Sequence, residues 1–146
     1  MNVMLIFIWV WAAFVAMAFW ESSVEGKHPW DRRKVGWKIR FGKRYSLPQY
    51  QFFVLFVFLP LLLTLPFIIY GFDFKIFGIL LSATLTGLVI EDFLWFVVNP
   101  EIKFKDSFNP KFVYYYPWIN FFRLQIPLGY IFGIVASILS WYFIWK

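Results

Sequence analysis

The chain has 146 residues, 62% hydrophobic, 26% aromatic and only 15% charged, with a formal net charge of +6 and no cysteine. A soluble domain averages roughly 45–50% apolar and about 25% charged residues, so neither a water-soluble domain nor a disordered chain fits. The lack of cysteine excludes a disulfide scaffold, thiol nucleophiles, iron–sulfur clusters and cysteine zinc sites. What remains is an all-α integral membrane protein, a single membrane domain over residues 1–146, placed in the cell membrane.

A helix needs about 20 mostly apolar residues to cross the roughly 30 Å hydrocarbon layer. Four segments meet that length and predict four transmembrane helices in a compact bundle: 3–20, 52–70, 76–98 and 128–145. The first is uncharged. Ala16-Met17-Ala18 imitates a cleavage site, but Met1-Asn2-Val3-Met4 carries no positive charge and the apolar run is long, so a retained helix is expected rather than a signal peptide. The segment 21–49 that follows carries eight lysines and arginines, among them Lys27, Arg32, Arg33, Lys38 and Arg40, and nets +5. In the second span Pro60 and Pro66 predict a kink that frees backbone carbonyls.

The third span carries Gly78, Ser82 and Thr86 at four-residue spacing, with Ala83 and Gly87 on the adjoining row. The fourth carries Gly129, Gly133 and Ser137, with Ala136 and Ser140 beside them. Small residues every four positions let helix backbones approach, so these two spans are expected to form a packed pair. The connection 99–126 between them holds four more basic residues and nets +2. It is rich in aromatics (Phe112, Tyr114, Tyr115, Tyr116, Trp118, Phe121 and Phe122) and reads as an interfacial belt or short surface helix, with a lipid or aromatic-ligand groove as the sharper reading.

Twelve of the 14 basic residues lie in the first and third connections, with only Lys75 and Lys146 elsewhere. The positive-inside rule makes those connections cytoplasmic and puts both termini on the outer side. Beside the bilayer, each cation gains about 1 kcal/mol from anionic headgroups, so membrane lipids are the expected partner of the basic loop. Nucleic acid, which also suits a basic strip interleaved with Trp30, Trp37 and Phe41, is not expected for a short loop between two spans.

Glu91 and Asp92 are the only charges inside a predicted span. Each costs on the order of 2.5–3.5 kcal/mol at mid-helix, so neither is expected to face lipid. Adjacent helical residues diverge by about 100°, so the two should serve different neighbours rather than chelate as a unit. The topology places them near Glu21, Glu25, Asn99, His28, Arg32, Arg33 and Arg40, forming a polar cluster at the cytoplasmic face. No cofactor is expected. A divalent cation would draw on Glu91, Asp92 and His28, but no metal, phosphate-loop or nucleophile motif is present.

The stretches Glu21-Ser22-Ser23-Val24-Glu25-Gly26-Lys27 with Trp30, and Glu91-Asp92-Phe93-Leu94-Trp95-Phe96-Val97-Val98-Asn99-Pro100, resemble a family of small multi-pass prokaryotic membrane proteins. The resemblance supports the topology, singles out Glu21, Glu25, Glu91, Asp92 and Asn99, and implies no activity. That family places a histidine after the aromatics of the third connection, where this chain continues Tyr114-Tyr115-Tyr116.

Three functions are compatible with this sequence. The first is a structural or accessory component of a membrane complex, with homo-oligomers or another membrane protein as partner. The second is a proton or cation transport unit centred on Glu91 and Asp92. The third is an enzyme acting on lipid headgroups at the inner leaflet, which has the least sequence support.

Overall fold

A computed structural model of the chain describes residues 1–27, 36–41, 45–107, 109–113, 117–121 and 124–146. It is mostly helical, and four of its helices are long and apolar enough to cross a membrane: α1 (Val3–Glu25), α2 (Gln49–Tyr70), α3 (Phe74–Val98) and α4 (Leu128–Trp145). They match the four expected segments. Helix α1 starts at Asn2, whose side chain accepts from the Leu5 amide at 3.2 Å. It continues past Trp20 through both glutamates and ends at Gly26, where φ is +64°.

Two antiparallel hairpins were not expected from the sequence. Strand β1 (Lys38–Phe41) pairs with β2 (Tyr45–Pro48), and β3 (Trp118–Phe121) pairs with β4 (Leu124–Pro127). Among its described residues the third connection holds a 3-10 turn at Phe104–Asp106 and a hairpin. Trp118, Ile119 and Ile126 favour extended backbone, and Pro127 is tolerated only at a strand end. Tyr114, Tyr115, Tyr116 and Phe122, central to the aromatic-belt reading, lie outside the described residues.

The hairpins follow one plan. Their registers run Lys38↔Pro48, Ile39↔Leu47, Arg40↔Ser46 and Trp118↔Pro127, Ile119↔Ile126, Asn120↔Gln125. In each, a proline closes the second strand and the next amide, the first of a helix, bonds back across the hairpin. Gln49 N donates to Trp37 O at 3.0 Å, and Leu128 N to Pro117 O at 2.8 Å. The chain is thus a tandem repeat of helix, hairpin and helix.

The chain divides into two compact units, one of Met1–Lys27 with Phe74–Lys146 and one of His28–Asp73. The expected packing of spans three and four is present in the first unit, and α1 joins them. Helix α3 lies between the other two, parallel to α1 and antiparallel to α4. On the α1 side, the Phe14 ring fills the space over Gly87 and Trp11 Nε1 donates to Thr86 Oγ1 at 2.9 Å. On the α4 side, Ser82 and Ser137 exchange hydroxyl-to-carbonyl bonds of 3.1 and 3.2 Å. Ser140 donates to Gly78 O at 3.0 Å, and Trp145 Nε1 to Ser82 Oγ at 2.9 Å. The small-residue rows therefore divide their work. Gly78 and Ser82 meet α4, Thr86 and Gly87 meet α1, and Gly129 meets nothing within 4 Å.

In the second unit α2 runs through both prolines. Its Val54–Phe58 segment is π-helical immediately ahead of Pro60. The wider turn accommodates a residue that lacks an N–H and crowds the preceding turn. The Thr64 hydroxyl donates back to Pro60 O at 2.7 Å and Leu61 O at 3.2 Å, so the helix satisfies this polar group internally.

Candidate functional site

The acids singled out in the sequence gather at one end of the three-helix unit. Glu21 and Glu25 lie on the last two turns of α1, and Glu91 lies on the next-to-last turns of α3; all three are buried, at 6%, 5% and 8% exposure. Parallel packing of α1 and α3 makes this meeting possible. Trp11 meets Thr86 and Phe14 meets Gly87, and further along the same parallel pair the Glu21 side chain reaches Glu91. The Glu21 and Glu91 carboxyl groups face each other, and among the described residues the other acids close to Glu91 are Asp92 and Glu25.

Asp92 turns the other way. It accepts from the Tyr130 hydroxyl of α4 at 2.5 Å, the length of a charge-assisted bond. The adjacent acids thus serve different neighbours, as their helical divergence predicts.

Asn99 closes the end of the unit. It is 3% exposed, its Nδ2 donates to Gly26 O at 2.9 Å, and its Oδ1 accepts from the Glu101 amide at 2.9 Å. The side chain therefore ties the C-terminus of α1 to the C-terminus of α3, satisfying a carbonyl at the end of α1 and an amide in the turn after α3. The Glu101 carboxylate borders Gly26, within 3.5 Å of where a Cβ would stand.

His28, Arg32 and Arg33 lie outside the described residues, and Arg40 stands on β1 in the second unit. Among the described residues no group of three or more His, Cys, Asp or Glu side chains is arranged to hold a metal ion.

Tyr130, Gly26 and Trp95 also belong to the site; Tyr130 was not singled out in the sequence, and Gly26 and Trp95 were named there only within the two motifs. Gly26 carried a readable signal, since glycine after a periodic apolar run is a helix stop. Tyr130 resembled any interfacial aromatic. Trp95 lies one turn beyond Glu91, is 4% exposed, and its indole N–H has no hydrogen-bond partner among the described residues.

Chemically, the arrangement can hold a proton between two carboxyl groups and an anionic carboxylate against a phenol. Comparison with known protein families, with curated proteins and with solved structures finds no match. The likeness of the Glu21–Lys27 and Glu91–Pro100 segments to small prokaryotic membrane proteins therefore rests on those residues alone.

Proposed function

We propose that the chain is a small four-span protein of the cell membrane, a helical bundle with both termini outside, acting as an accessory component of a membrane assembly. The span topology is supported by the parallel pairing of α1 and α3. Parallel neighbours need an odd number of crossings between them, and α2 is the described helix between them with the length and polarity to cross. The cytoplasmic assignment of the first and third connections rests on their twelve basic residues.

The accessory role is carried by the apolar exterior. Within the three-helix unit itself, Trp9, Phe132 and Phe143 are 77%, 67% and 74% exposed. Such surface is solvated by lipid or by partner helices, and the segments outside the helices are short hairpins and turns. Gentle extraction into native nanodiscs followed by native mass spectrometry tests this. A particle of defined stoichiometry larger than the 17.6 kDa chain is expected, and a lone chain carrying only lipid contradicts it.

A second reading, a proton or cation transport unit, is favoured by the Glu21–Glu91 carboxyl pair. A hydrogen bond between two carboxyl groups contains a proton, and intramembrane acids mark ion pathways. In proteoliposomes, flux lost in both Glu91→Gln and Asp92→Asn variants supports this reading; flux unchanged in both removes it.

A further inference from the structure

We propose that the β1–β2 hairpin is a docking surface for anionic lipid headgroups, with Lys38 and Arg40 as its cations and Trp37 as its interfacial anchor. The proposal rests on the membrane reading above. Along β1 the side chains alternate. Lys38 and Arg40 share one face, half-buried and exposed respectively, while Trp37 and Ile39 share the other at 43% and 36% exposure. One short strand thus offers cations on one side and an apolar edge on the other.

The hairpin is also fixed in height. Trp37 O accepts the first amide of α2, and the Trp37 ring lies edge-on to Phe52 at 5.2 Å and Phe53 at 6.1 Å. If α2 spans the bilayer, this hairpin sits at its end, the level at which tryptophan anchors and headgroup phosphates are found.

The tandem repeat supplies an internal comparison. At the register positions of Lys38 and Arg40 the second hairpin carries Trp118 and Asn120, while Ile39, Phe41 and Pro48 recur as Ile119, Phe121 and Pro127. The same hairpin therefore forms without these cations, so its folding does not account for them. A cationic face beside an apolar edge, held at a headgroup level, is complementary to an anionic lipid surface.

The test uses the full chain in vesicles of phosphatidylcholine with a minor fraction of phosphatidylglycerol, reading by native mass spectrometry which lipids stay bound. The wild-type chain should retain phosphatidylglycerol in excess over its bulk share, and this preference should weaken as salt is raised. The Lys38→Gln/Arg40→Gln variant should lose about fivefold of that preference per cation, about twenty-five-fold for both. A preference that is absent, or insensitive to either salt or the double substitution, overturns the proposal. If the double variant does not fold, the single Lys38→Gln and Arg40→Gln variants decide, each with an expected loss of about fivefold. Displacement of the lipid by inorganic phosphate would instead indicate a site for the free anion and also overturns it. Extraction of the chain from vesicles by alkaline carbonate would overturn the membrane reading itself, a separate failure.

Discussion

Placing a methyl group on Gly87 tests the contact that joins α1 to α3. A Cβ there would lie 2.7 Å from Cε2 and 2.9 Å from Cγ of Phe14. Carbon atoms in contact prefer about 3.5–4.0 Å, and Cδ2 of the ring is nearer still, so the overlap exceeds about 1 Å. Phe14 is 2% exposed and has no room to swing clear, so the helices must part. Overpacking of this kind costs about 1–3 kcal/mol. The Phe14→Ala variant should also be less stable, through lost packing rather than lost transfer from water, because lipid is itself apolar. In the double variant the added methyl faces the vacated ring site. The combined loss should therefore fall short of the sum of the single losses by at least about 1 kcal/mol. Unfolding in mild detergent, followed by tryptophan fluorescence, measures all four corners of the cycle. A Gly87→Ala protein as stable as its parent, or strictly additive losses, would refute the assignment of Phe14 to Gly87. Gly129→Ala is the control, since its added Cβ meets nothing and little change is expected.

Further outcomes can be checked with the same melts. Asn99→Ala leaves Gly26 O and the Glu101 amide without their buried partner and should cost about 1–3 kcal/mol. Tyr130→Phe removes the donor to Asp92 and should cost about 1.5–3 kcal/mol, whereas Tyr142→Phe, at a tyrosine 56% exposed, should change little. Glu91→Gln keeps a donor facing Glu21 and should be better tolerated than Glu91→Leu, which leaves a buried carboxyl without its partner. Equal stability of those two variants would remove the carboxyl pair from the account.

The helices were legible because a bilayer-length apolar run is a statement about solvent that needs no tertiary information. Their ends were less so. Composition stops the first span at Trp20 because Glu21 is charged, yet backbone bonding carries the helix to Glu25, and buried Glu21 faces Glu91 of α3. The Gly78–Ser82 and Gly133–Ser137 rows announced the α3–α4 pairing, since close backbone approach requires small side chains. The α1–α3 pairing had no such announcement on α1. That helix is apolar all round, and nothing in the sequence separates buried Phe14 from exposed Phe19. Four-residue strands ending in proline fall below what alternation can signal, so both hairpins were missed. Recognition that Glu91 and Asp92 point apart required only helix geometry. That Asp92 meets Tyr130 required knowing which residue of α4 comes level with it.

The absence of cysteine makes the central topological claim directly measurable. Single substitutions Lys27→Cys, Lys75→Cys, Lys105→Cys and Lys146→Cys fall at exposed positions, Lys75 in the first turn of α3 and the others outside the four long helices. Labelling in intact cells with a membrane-impermeant maleimide should modify positions 75 and 146 directly, and positions 27 and 105 only after permeabilisation. Labelling of positions 27 and 105 from opposite sides, or of 75 together with either of them, would contradict the four-span account.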